Sequence, residues 1–569
     1  MSLPVPQSVA SNLAQALEQA VALHHRGDLA QAEKIYTRIL KARRDHFDAL
    51  HLLGLLKHQS GKAGEAYRLI SAALAVNPRS ADARSNLGLV LHALKRDADA
   101  LASFQQALAL EPGHVEALNN RGMALIKLNR PAEAVAAFER LLASNPRHPE
   151  AQVNRANVLL DLDRVDEAIV AYDAVIALQP GHAGAHFNRG NALAQRHRLP
   201  EAIAAYDRAI ALAPGYAKAH NNRGLALRAL NRHDEALATY RRAIALDKDF
   251  AEAHLNAAHA LLSLGDFARG FAAYEWRWKI PATAPHRRAF RQPLWLGTPP
   301  VGGRTILLHA EQGLGDTIQF ARYAKLLART GATVVLEVAP ALKPLISGMD
   351  GAARGVATGE ALPTFDLHCP LASLPLAFKT EPASIPAEIP YLGAPAERVE
   401  KWRPRMQALA RPRIALTWSG NAAHANDRNR SIPLARLEPL WSHEGASFIS
   451  VQRDVREADA GVLAGAARLV HVGDELSDFA DTAAVLALAD LVISVDSAVA
   501  HLAGAMGRPV RILLPCSPDW RWMLAREDSP WYPTARLLRQ PSIGDWESVI
   551  ERVRQELRSA PLEPCGGAY

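Results

Sequence analysis

One spacing governs the first half of this 569-residue chain. Proline stands at Pro78, Pro112, Pro146, Pro180 and Pro214, each 34 residues after the last. Alanine keeps the same period at Ala32, Ala66, Ala100, Ala134, Ala168, Ala202 and Ala236. An aromatic does so at Tyr36, Phe104, Phe138, Tyr172, Tyr206, Tyr240 and Tyr274, with Ile70 in the vacant place. Gly54, Gly88, Gly122, Gly190 and Gly224 follow suit, with Ala156 in register. Small residues let paired helices approach closely, an aromatic fills the space between them, and a proline ends the unit. Such a unit cannot bury its apolar face alone, so the chain must stack one on the next.

This is the tetratricopeptide pattern, with seven repeats from about 13 to 250 and a partial eighth to about 284. The first helix of each pair should line a concave face. Asn86, Asn120, Asn154, Asn188, Asn222 and Asn256 fall on those first helices. An amide offers both donor and acceptor, so the row can pair with a peptide backbone of any sequence or can tie the repeats together. Both readings stand. The segment resembles the repeat domain of O-linked N-acetylglucosamine transferases, whose asparagine ladder grips an extended peptide. That resemblance implies a protein or peptide partner in the repeats, and repeats of this kind also permit oligomers.

Composition narrows the remaining classes. A chain 49% hydrophobic and 22% charged is that of an ordinary well-packed protein. The net charge of +7 is modest and its signs are interspersed, unlike the basic stripe of a nucleic-acid binder. The three cysteines, Cys369, Cys516 and Cys565, have neither paired nor metal-like spacing. No apolar run is long enough for a membrane span, and the start lacks a basic-then-apolar leader. A cytoplasmic protein with no metal and no nucleic-acid partner is expected.

All ten tryptophans lie beyond residue 275, which dates the change of texture. Residues 285–303, rich in Pro, Gly and Arg, read as a linker. From there short apolar strands alternate with helices: Thr305–Ala310, Thr333–Val338, Ile414–Trp418, Ser447–Val451, Leu469–Val472, Leu491–Val495 and Val510–Leu514. The alternation predicts parallel sheets with helical crossovers. A proline-rich stretch at 379–412 divides the runs, giving halves at 304–395 and 396–569. The expected fold is an all-α tetratricopeptide superhelix followed by an α/β double Rossmann arrangement. Ligands of such sheets sit at the carboxyl ends of strands.

Three strand ends carry chemistry. In His309–Tyr323 (HAEQGLGDTIQFARY), Gly313 and Gly315 permit a sharp strand-to-helix turn and Asp316 opens the helix. A carboxylate there repels phosphate but can take a proton from a hydroxyl; a plain capping role is the alternative, and Glu311 is a rival base. Gln319 lies one turn on. In Thr417–Pro433 (TWSGNAAHANDRNRSIP), Ser419, Gly420 and Asn421 offer hydroxyl, amide and backbone N–H groups. Arg428 and Arg430 suit a diphosphate, or else join Asp427 in a surface network. Gln452, after the next strand, could meet a base or sugar edge. In Asp490–Pro515 (DLVISVDSAVAHLAGAMGRPVRILLP), Asp496, Ser497 and His501 gather at a helix N-terminus whose free amides attract anions. Gly504 completes that small-residue helix. Trp520 and Trp522 either stack on a base or pack the halves together.

These three motifs together resemble glycosyltransferase family 9, which includes bacterial ADP-heptose heptosyltransferases, over about 300–545. The resemblance implies a GT-B fold, a nucleotide-diphosphate-sugar donor as co-substrate, and inverting chemistry without a required metal or other cofactor. It carries the role of base onto Asp316 and that of phosphate holder onto Asp496, Ser497 and His501. The family's lysine contact to the donor has no lysine here; Arg430 is the nearest residue. The implied function is transfer of a sugar to a hydroxyl of a protein or peptide held by the repeats. Two alternatives remain: a glycan or lipid-linked acceptor, and a scaffold with a degenerate transferase tail.

Overall fold

The computed structural model describes residues 7–559 except 282, 284, 285, 425, 443 and 444, with side chains from residue 12. Cys565 lies outside the described residues. The chain divides into two compact units, Met1–Pro214 and Gly215–Tyr569. The later repeats therefore belong to the same unit as the sheets.

The first unit is a run of helix pairs, from Gln7–His25 with Leu29–Ala42 to Ala183–Gln195 with Leu199–Leu212. Its periodic glycines are explained by contact. A Cβ on Gly88 would lie 2.4 Å from Phe104, and one on Gly122 would lie 2.5 Å from Phe138. The aromatic ring is buried flush against the glycine backbone of its partner helix. The turn inside each pair also keeps the period, through a residue with positive φ at Gly27, Gly61, Lys95, Asn129, Asp163 and His197. Only two of these six are glycine, so the turn is imposed by the packing of its flanking helices on four side-chain-bearing residues.

The second unit opens with two more pairs, Ala217–Ala229 with His233–Leu246 and Ala251–Ser263 with Phe267–Tyr274. Two wholly parallel sheets follow. The first has the order β3-β2-β1-β4, from β1 Thr305–His309, β2 Thr333–Val338, β3 Arg354–Ala357 and β4 Leu367–Pro370. The second has the order β10-β9-β8-β5-β6-β7. Its strands are β5 Arg413–Thr417, β6 Ser447–Ser450, β7 Leu469–His471, β8 Leu491–Val495, β9 Val510–Leu514 and β10 Ala535–Arg539.

The seven strands read from sequence are present to within a residue or so at each end. The three that were missed, β3, β4 and β10, are edge strands. An edge strand tolerates the proline that ends β4 and the arginines within β10, which blunts its apolar signature. The linker is also more than a tether. Phe290 covers Leu307, Val335 and Val356 on one face of the first sheet, and Arg288 grips the buried Glu337 with 2.9 Å contacts to both oxygens. Trp295 N–H then donates to the His368 carbonyl at 2.8 Å.

Candidate functional site

The helix Ala498–Ala505 starts where β8 ends. Its cap residue Ser497 has extended backbone (φ −147°, ψ 170°), the geometry of an N-cap, yet its side chain does not cap the helix. The hydroxyl turns instead to Ser494 Oγ at 3.0 Å. Two first-turn residues, Ala498 and Val499, remain half-buried at this uncapped end. It is an end with partial positive charge and amides available to an anion.

His501 stands one turn on, 5% exposed. Its Nδ1 pairs with Tyr532 Oη at 2.9 Å and its ring stacks on Trp522 at 5.2 Å between centroids. Burial, helped by the Arg521 charge, pushes its pKa down to about 3, so the ring is neutral at pH 7. Burial holds the Tyr532 phenol well above its usual range, so it too stays neutral. A His whose folded pKa lies below 6.5 adds stability above that pH and loses it as pH falls toward 3. Gly504, on the same helix, meets the Tyr532 ring: a Cβ there would come within 2.4 Å. Its part is to seat Tyr532, and through it His501.

The helix Leu314–Ala321 starts after β1 and is built the opposite way. Asp316 Oδ2 accepts from the Gly313 N–H at 2.9 Å, so a carboxylate already occupies this end. Gly313 has φ −66° and ψ 170°, extended backbone open to any residue. Gly315 is needed for proximity: a Cβ would sit 2.8 Å from His501 Cδ2 and 3.5 Å from Ala498 Cα. The two helix starts therefore touch, and Asp316 lies beside the uncapped end of the other helix.

Arg521, which the sequence did not single out, binds this carboxylate. Its guanidinium donates to Asp316 Oδ1, to Gln319 Oε1 and, at 2.8 Å, to Asp519 Oδ1. It lies over the Trp520 ring, 4.4 Å from the centroid. The Gln319 amide thus serves Arg521 by its oxygen, while its Nε2 is buried without a partner. Trp520 packs on Phe267, Phe271 and Trp531, and Trp522 is fully buried, so both indoles serve packing.

Asp496 is 8% exposed. Burial raises its carboxyl to about 6, the Asp519 charge adds to this, and Arg430 opposes it. Arg430 Nη1 donates to the Asp496 carbonyl at 3.1 Å; its Nε is buried without a hydrogen bond, 4.0 Å from Asp427 Oδ1. The guanidinium lies against Gly420, where a Cβ would come within 2.6 Å of it. Ser419 Oγ is buried and unpartnered too. Arg428 and Asn421 are exposed, and Asn421 Oδ1 accepts from Ala423 N at 2.9 Å. Gln452 is occupied by the fold: its Oε1 accepts from Thr417 Oγ1, Trp418 N and Ser419 N at 2.7–3.2 Å. It shapes the turn after β5.

His424 was also unforeseen. Desolvation and the Arg430 charge lower its pKa, against the pull of Asp519, Asp316 and Asp427. Arg430 reaches the Asp496 carbonyl and Gly315 meets His501, so the turns after β5 and β1 both border the turn after β8. Glu311, by contrast, is tied down: Arg277 and the Ala372 N–H each approach it at 3.2 Å, and burial raises its carboxyl to about 7 despite Arg277. Among the described residues no group of three His, Cys, Asp or Glu side chains is disposed to hold a metal, and no helix is long and apolar enough to cross a membrane.

All six asparagines of the periodic row are half-buried. In the first unit Asn188 Nδ2 donates to Asn157 of the preceding repeat at 2.9 Å, and Asn86 pairs with His51 at 2.9 Å. Asn154 lines a groove of about 660 Å³ with Asn119, His148, Glu150 and His182, one helix step from Asn120. In the second unit Asn256 donates to Asn221 at 3.0 Å, and Asn221 donates to Asn222 at 3.1 Å. The amide N–H groups at Asn86, Asn188 and Asn256 thus join successive repeats.

The Tetratricopeptide repeat model matches residues 51–115, 119–181 and 154–217, and the TPR repeat model matches 224–265. Glycosyltransferase family 9 (heptosyltransferase) matches residues 457–514, a stretch holding Asp496, Ser497 and His501 but not Asp316 or Arg430. The chain joins tetratricopeptide repeats to a segment similar to glycosyltransferase family 9. It is 27% identical over 330 residues to Protein FlbA of Caulobacter vibrioides, an alignment covering 52% of this chain and 53% of that one. The chain thus spans about half the length of the curated relative it matches. Similar solved structures include YrrB, "a TPR protein with an unusual peptide-binding site" (23% identity, 32% of this chain, 95% of that chain, TM-score 0.30). Another is a tetratricopeptide repeat protein from Parabacteroides merdae (19% identity, 44% of this chain, 99% of that chain, TM-score 0.35).

Proposed function

We propose that this tetratricopeptide chain is a glycosyltransferase of GT-B type. It would move a sugar, with inversion and without a metal, from a nucleotide-diphosphate-sugar to a hydroxyl of a protein or peptide presented by the repeats. The observation that carries the reading is the contact of two unlike helix starts. One is uncapped, with Ser497, the Arg430 guanidinium on the Asp496 carbonyl and neutral His501 around it. The other presents Asp316. A diphosphate suits the first, and a reacting hydroxyl suits the second.

In this mechanism Asp316 takes the proton of the acceptor hydroxyl as that oxygen attacks the anomeric carbon opposite the diphosphate. The anomeric C–O bond breaks, and charge grows on the leaving phosphate. The first-turn amides of Ala498–Ala505 and Arg430 stabilise that charge where it forms. Neutral His501 adds no charge; it holds the geometry with Tyr532 and Gly315 and leaves Nε2 as a partner for a phosphate or sugar oxygen.

A second reading, a scaffold with an inactive transferase tail, gains support from Arg521, which occupies Asp316 before any substrate does. The test is calorimetry with a panel of nucleoside diphosphates, then donor consumption with the matching sugars. A scaffold binds none and consumes none. Deleting residues 1–214 then separates acceptors: transfer to a free glycan survives the deletion, and transfer to a protein falls sharply.

A further inference from the structure

Arg521 is the largest group in the site for which the transferase scheme has no use. It cannot act as a free cation for the diphosphate, because its donors are directed at Asp316, Gln319 and Asp519 and its side chain is 8% exposed. The segment that carries it is held at several points. Asn231 Nδ2 donates to the Cys516 carbonyl at 2.9 Å, and Ser517 Oγ donates to the Arg228 carbonyl at 3.1 Å. Phe267 and Phe271 wedge Trp520 at 5.6–6.3 Å between centroids. These anchors all come from the last repeats. The fork itself reaches across to the helix that follows β1.

We propose that Arg521 is the positioning residue of Asp316, a role that rests on the transferase reading. Asp316 is pinned at Oδ2 by a backbone N–H and at Oδ1 by a guanidinium fixed on three acceptors. Two contacts on different oxygens leave the carboxylate one orientation. Each oxygen retains a lone pair, so the group can still accept a proton from a hydroxyl. A planar fork with fixed donors does this; an ammonium on a flexible stem does not. Because the fork's seat is built by Asn231, Phe267 and Phe271, the repeats contribute to the geometry of the base.

The test uses the full chain with Arg521→Gln and Arg521→Lys, assayed with whichever nucleotide-sugar the wild type consumes. Misplacement of the base should lower kcat by about 10²-fold in Arg521→Gln with KM for the donor unchanged. Arg521→Lys should fall between it and the wild type. A purely structural role would lower the melting temperature and leave that split unseen. Wild-type kcat in either folded variant overturns the proposal while the transferase reading stands. Absence of donor consumption by the wild type sinks the transferase reading itself. Melting shifts of Arg521→Gln and Asp316→Asn that simply add in the double variant would also overturn the proposal, since paired groups couple.

Discussion

The helices Leu314–Ala321 and Ala498–Ala505 are each eight residues long, each follow a parallel strand, and touch at their starts. They differ in the charge that stands at the start. Asp316 caps its own helix, whereas Ser497 turns to Ser494 and leaves its helix open. A start that carries a carboxylate repels an anion, and an open one has a built-in attraction for it. One motif thus presents two kinds of helix start, according to a single side chain's rotamer and charge.

The largest expected effect comes from removing the charge at the capped end. Asp316→Asn should lower turnover by about 10²–10⁴-fold, the range for a general base, with nucleoside diphosphate affinity by calorimetry unchanged. Loss of binding instead would mean that the two ends do not divide their labour. Closing the open end is the converse test. Ser497→Asp should weaken diphosphate binding by about 10²-fold through like-charge contact, yet hold or raise the melting temperature, since an aspartate N-cap stabilises a helix by about 1 kcal/mol. Undiminished affinity would sink the anion site.

Forcing the ends apart should act on both. Gly315→Ala sets a methyl against an imidazole stacked on Trp522, which cannot yield, at a cost of about 1–3 kcal/mol in thermal unfolding. An unchanged melting curve would show that the contact is loose. The smallest effect concerns Asp496. Its folded pKa of about 6 lies above the ordinary carboxyl value, so the folded state holds an extra proton that it loses as pH rises through 6. An anionic ligand prefers the protonated form. Diphosphate affinity should fall a few-fold as pH rises from about 5 to about 7, and Asp496→Asn should flatten that slope.

Much of the fold was legible because it is periodic or apolar. Gly88 under Phe104 repeats the relation of Gly122 to Phe138, and seven of the ten strands among the described residues are apolar runs. The site was legible in part. Asp316, Ser497 and His501 follow strands within short motifs, where local spacing sets position. Gln452 also holds the turn after β5, a role hidden from sequence because its three donors, at the end of β5 and just beyond it, lie 33–35 residues away. His501→Ala removes a buried ring from Trp522 and one hydrogen-bond partner from Tyr532; it should lower the melting temperature as well as turnover.

By itself the sequence determined the repeats, the parallel strands and which strand ends bear polar groups, since each follows from spacing along the chain. Only the tertiary structure decided that Arg521, 205 residues from Asp316, clasps it, and that the compact units divide at Pro214 within the repeats. The reason is that a side-chain pairing depends on where two segments come to rest. A tryptophan-rich stretch such as Asp519–Tyr532 carries no mark of which of its charges will be buried against a distant carboxylate.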